Sequence, residues 1–131
     1  MFVRTESLSA MAQQQPTVRV HTPIGSAVGV WHGDPREAEG RHLVEWTVDE
    51  DIHWGRNAWP AAAAEARLWQ AGGQVNMSGH LELLDDGAAC LRMGHWLVLL
   101  DVVSPVPRER EGSWVRISVG SESVALYPYK V

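Results

Sequence analysis

Cysteine, lysine and phenylalanine each occur once in this chain of 131 residues. A lone cysteine, Cys90, excludes an intrachain disulfide and any zinc or iron–sulfur site built from several thiolates, and it suits a reducing, cytoplasmic compartment. Lys130 stands against ten arginines, and sixteen Asp and Glu bring the net charge to −5. That balance lacks the basic surplus on which general affinity for nucleic acid or anionic lipid rests. No apolar run approaches the roughly 20 residues needed to span a bilayer, and the opening segment MFVRTESLSAMAQQQP holds none of signal-peptide length, so no membrane contact is expected. The shortage of Lys, Phe and Asn beside plentiful Ala, Arg, Val, Gly and Trp points to a GC-rich bacterial genome. With 45% hydrophobic and 21% charged residues the composition is that of an ordinary globular domain, long enough to bury a core without staples. Residues 1–15 read as a flexible arm and residues 16–131 as a single domain.

What the chain does have is β patterning, clearest over Gln74–Ser104. Asp85-Asp86-Gly87 suits a three-residue hairpin loop with glycine at the position of positive φ. Closing the loop there pairs Leu84 with Ala88, Leu83 with Ala89, Leu81 with Leu91 and Gly79 with Met93, which gathers the large apolar residues other than Leu84 on one face. A two-residue turn at Asp86-Gly87 would scramble them, because a one-residue slip reverses every side chain. After Gly94, the segment His95–Val103 is apolar on both faces and reads as a strand covered on both sides.

Elsewhere, Thr17–His21 alternates as a short strand, Ile24–Trp31 is a strand bent at Gly25 and Gly29, and His32–Arg41 is a turn-rich connection. Val44, Trp46 and Val48 share one face of a strand, and Ile52 and Trp54 fall in a second strand beyond an acidic turn. One α-helix is expected around residues 59–70, capped by Asn57, opened by Pro60, carried by Ala61–Ala64 and ended at Gly72. Pro105 and Pro107 keep Ser104–Gly112 out of central pairing. The last element reads as a hairpin turning at Ser121-Glu122, pairing Val119 with Val124, Ile117 with Leu126 and Val115 with Pro128. Together these predict a mainly β fold, a small antiparallel barrel of OB-like or SH3-like kind with one helix.

Three groups of residues could carry chemistry. Glu82 opposite Cys90 and His80 opposite Arg92 place a thiol, an imidazole and a carboxylate within cross-strand reach. The flat strand surface offers no oxyanion hole, and a mixed polar face is the plainer reading. Asp49, Asp51 and His53 share one face if extended, and two carboxylates with an imidazole are suitable ligands for a divalent metal. An acidic turn explains them equally, and no cofactor is expected. The third group is aromatic: seven Trp against one Phe is more indole than a core requires. Trp46, Trp69 and Trp96 fit core positions. Trp54, Arg56 and Trp59 lie in WGRNAWP, while Trp114, Arg116, Tyr127 and Tyr129 share the outer face of the last hairpin. There they either close the sheet edge, with Arg116 stacked on Tyr127, or offer a binding surface.

The expectation is a non-catalytic binding domain acting through protein–protein contacts: an immunity-type neutralising partner, an accessory protein, or a self-associating homo-oligomer. Two alternatives remain: a metal-binding protein or enzyme using the Asp/His or Cys/His/Glu cluster, and an OB-like binder of single-stranded nucleic acid.

Overall fold

Period-two alternation of apolar residues becomes strand nearly everywhere it occurs. The computed structural model describes residues 2–8, 15–83, 88–103 and 112–129. Its strands are β1 (Phe2–Ser7), β2 (Thr17–Thr22), β3 (Gly25–Trp31), β4 (Gly40–Ile52), β5 (Ala58–Pro60), β6 (Arg67–Ala71), β7 (Gln74–Leu83), β8 (Ala89–Met93), β9 (Trp96–Val102), β10 (Trp114–Gly120) and β11 (Val124–Pro128). Single 3₁₀ turns lie at Pro35–Glu37 and Ser121–Ser123.

Hydrogen-bonded neighbours run β1–β2–β3–β6–β7–β8–β9–β4 and return from β4 to β1, which closes an eight-stranded barrel. β11 lies between β3 and β4, parallel to the first and antiparallel to the second. β10 flanks β7 and carries the short β5 on its other edge. Closure pairs the ring strands with one another and leaves the three-residue β5 as the outer strand of the sheet, which limits the free edge that could template pairing with other chains. The inward residues form one core, in which Val18, Val20, Trp31, Val48, Leu91 and Ile117 have essentially no exposed surface. Burying each such aliphatic side chain contributes about 1.5–3 kcal/mol before chain entropy is counted.

The central hairpin has the register that the apolar pattern selects. His80 faces Arg92, Leu81 faces Leu91, Glu82 faces Cys90 and Leu83 faces Ala89. Gly79 is required where the strands come closest: a Cβ there would sit 2.6 Å from the Arg92 carbonyl oxygen. The loop itself, Leu84 to Gly87, lies outside the described residues.

Five expectations are corrected. No helix forms over residues 59–70; β5 and β6 flank a bend at residues 61–66 instead. A helix of that length is marginal without a packed face, whereas Leu68 inward and Trp69 outward satisfy a strand ladder along β7. Asn57 therefore caps a turn: its side-chain oxygen accepts from the His53 amide at 2.7 Å and its amide donates to the Asp51 carbonyl at 2.9 Å. β4 is one strand of thirteen residues, because Glu50 is held within it rather than turning away. The Glu50 carboxylate accepts from the Gly120 amide at 3.0 Å and from the Asn57 side chain at 3.2 Å.

The C-terminal pair is not a hairpin. β10 pairs with β7 and β5, and β11 with β4 and β3, so the 3₁₀ turn at Ser121–Ser123 carries the chain across the barrel. Residues 2–7 are not a free arm. β1 pairs with both β2 and β4, and Val3 and Thr5 are buried. Finally, Leu97 and Leu99 of β9 are 44% and 38% exposed, since among the described residues no helix covers that face.

Candidate functional site

The site lies on the outer face of β6, β7, β10 and β5, and strand register builds it. Arg67 and Arg116 both face Ser78 from neighbouring strands, and Trp59 faces Arg116 from the far side. One row therefore reads Arg67, Ser78, Arg116, Trp59. The adjacent row reads Trp69, Asn76, Ser118, and the row on the opposite side reads Arg92, His80, Trp114. Alternation puts all of these on one face because their neighbours Leu68, Met77, Val115 and Ile117 point into the core.

Each arginine is parked on an indole. The Arg67 guanidinium carbon stands 4.9 Å from the Trp69 ring centre, and that of Arg116 stands 4.8 Å from the Trp59 ring centre. Such a pair contributes about 0.5–1 kcal/mol at an exposed site. Between them lies a cleft of about 340 Å³ with Ser78 on its floor, Pro60, Ala62 and Ala63 along one wall, and Glu65 at its rim. Asn76 and Ser78 are buried polar residues of this otherwise aromatic surface. His80 completes the patch, edge-on to Trp114 with ring centres 4.9 Å apart.

The aromatic residues nominated from the sequence are thus divided. Trp59, Trp114 and Arg116 come together here, and Arg116 stacks on Trp59 rather than on Tyr127. Tyr127 and Tyr129 follow β11 to a different part of the barrel. There Tyr127 stacks on His32 at 4.6 Å beside a second cavity, lined by Asp34, Glu37 and His42. Trp54 packs half-buried against the core, and Arg56 is exposed on the following turn. The sequence pattern assigns Trp69 to the core and does not single out Arg67, Asn76 or Ser78; in the structure Trp69 is half-buried on the outer face and lines the cleft. The signal for Arg67 and Trp69 was the alternation Arg67, Leu68, Trp69, which the preceding alanine run obscured.

No family model matches the chain, and neither a curated protein nor a solved structure does.

The two chemical clusters fare differently from the aromatic one. Glu82 is held by Arg92 through two hydrogen bonds, of 2.7 and 3.1 Å, which keep its carboxyl below the usual carboxylate range. Cys90 is buried, and burial, reinforced by the nearby Glu82 charge, pushes its thiol pKa up despite Arg92. Nucleophilic catalysis needs the opposite shift. In native protein at pH 7.5, iodoacetamide is expected to alkylate Cys90 at least ~10-fold more slowly than in urea-unfolded chain. Equal rates would show that the Cys90 thiol is accessible in the folded protein, and a faster native rate that it is activated.

Asp49 and Asp51 are exposed on β4, and His53 lies just beyond its end. Along a strand, Asp49 and His53 are separated by roughly 13 Å at about 3.3 Å per residue. Among the described residues no three His, Cys, Asp or Glu side chains come together as metal ligands. No described helix is long and apolar enough to cross a membrane.

Proposed function

We propose that this chain is a non-catalytic binding domain that works through protein–protein contacts, with the Trp59, Trp69, Trp114, Arg67 and Arg116 face as its contact surface. The observation that carries this reading is the pair of arginines, each stacked on an indole, that border one cleft on a closed barrel. Trp and Arg dominate binding hot spots because both combine large contact area with directed polar groups. Side chains fixed on strands also lose little freedom when a partner arrives. Hydrogen-bonded strands of the barrel carry that face, and the burial that raises the Cys90 thiol pKa disfavours that residue as a nucleophile. An immunity-type partner, an accessory protein and a homo-oligomer are three forms of the same activity, in the cytoplasm of a bacterium. Nucleic acid and membrane are poorer ligands for a chain of net charge −5.

A photo-crosslinking side chain placed at exposed Ala62, beside the cleft, tests this in cells, with exposed Glu39 as the remote control. Adducts of one discrete mass from position 62 and not from position 39 are expected, and light scattering then separates a second copy of the chain from another protein. Trp59→Ala with Trp69→Ala should abolish the adduct while far-ultraviolet circular dichroism stays unchanged. Identical labelling from both positions, or none from either, would remove the reading.

A further inference from the structure

We infer that the bound protein is anchored by a carboxylate, the side chain of an acidic residue in its docking segment, held between Arg67 and Arg116. This rests on the reading of the face as a protein contact surface and names the chemistry that the cleft would recognise. The described ion pairs engage Arg4, His21, Arg36 and Arg92. Among the described residues, neither Arg67 nor Arg116 has a carboxylate partner. Both face Ser78 from opposite sides, so their backbones lie about 10 Å apart, two inter-strand spacings of about 4.8 Å. A carboxylate between them can accept from both guanidiniums at once, since its two oxygens offer about four lone-pair positions.

Stacking prepares the arginines for this. An indole beneath a guanidinium engages its flat face and leaves the N–H edge unspent. Trp69 and Trp59 therefore hold two donor forks in place without consuming their donors. Ser78 adds a hydroxyl to the floor, and Pro60, Ala62 and Ala63 give apolar contact for the residues beside the acidic one. Glu65, the carboxylate that lines the same cleft, marks the cost: it competes with an incoming anion. A polyanion fits less well. Nucleic-acid affinity grows with the number of phosphates neutralised, and two arginines on an acidic chain neutralise few.

The probe is a blocked tetrapeptide, acetyl-Ala-Glu-Leu-Ala-amide, titrated against the full chain while the indole N–H resonances of Trp59 and Trp69 are followed by NMR. Both resonances should shift, and the peptide with Gln in place of Glu should bind at least ~10-fold more weakly, the loss of a charge-assisted hydrogen bond. Arg67→Gln and Arg116→Gln should each weaken binding about 10-fold, and Glu65→Gln should tighten it about 3-fold, an effect that a purely structural arginine pair would not produce. Equal affinity for the two peptides, unchanged affinity in the arginine variants, or no shift with either peptide overturns the carboxylate anchor. The crosslink at position 62 reports separately whether the face meets a protein, so the two failures are distinguishable. A thymidine oligonucleotide that binds more tightly than the peptide, with affinity falling steeply as salt rises, would overturn the anchor in favour of nucleic acid.

Discussion

Gly25→Ala is expected to destabilise the barrel by roughly 2–6 kcal/mol, adding backbone strain to overpacking of about 1–3 kcal/mol each. Gly25 has φ of +138°, and a Cβ built there would lie 1.8 Å from the Leu68 carbonyl oxygen. No rotamer change relieves that contact, because the obstacle is backbone. The pairing of Gly25 with Leu68 is also the register contact that joins β3 to β6, supported by the 3.1 Å hydrogen bond from the Leu68 amide to the Ile24 carbonyl. Pushing them apart opens the ring at the strand that carries Arg67 and Trp69. A domain of this kind is stable by about 5–15 kcal/mol, so much of that margin is at stake. The urea midpoint measures the loss, and the indole N–H resonance of Trp69 should move with it. An unchanged midpoint would mean that the β3–β6 junction does not hold the barrel closed.

Trp31→Ala is expected to cost about 3–5 kcal/mol, the range for emptying a buried aromatic site. Trp31 has no exposed surface, its indole N–H donates to the Asp34 carbonyl at 2.9 Å, and its ring packs at 4.6 Å from that of His42. It also fills the space under Gly33, where an added Cβ would lie 3.0 Å from the indole. The surroundings are therefore tight, with the β11 residue Pro128 also within 2.6 Å of that position, and cannot readily collapse into the vacancy. Trp31→Phe should recover much of the loss, since it restores most of the ring volume and forgoes one hydrogen bond worth about 0.5–1.5 kcal/mol. Guanidinium unfolding of the three proteins ranks them. Similar midpoints for the native chain and Trp31→Ala would contradict the burial that defines this side of the core.

The face itself was half legible. Trp59, Trp114 and Arg116 could be nominated from composition and alternation, because an excess of indole over phenyl has no core explanation. Their companions could not, since Arg67 and Trp69 followed an alanine run whose helix propensity is real but weak beside strand pairing with β7. Propensity is worth tenths of a kcal/mol per residue, and burying Leu68 in a ladder outweighs it. Tyr127 and Tyr129 were placed with Trp114 because adjacent strands commonly pair, and β10 and β11 do not.

By itself, the sequence determined a mainly β domain, the inward faces of β2, β4, β7, β8, β10 and β11, and the register of the central hairpin. These follow from side-chain period and loop chemistry, which act over a few residues. Only the tertiary structure decided that residues 58–71 are strand, that β10 and β11 part company, and that two arginines meet across Ser78. Those outcomes depend on which distant ladder offers the better burial, and no local pattern encodes that comparison.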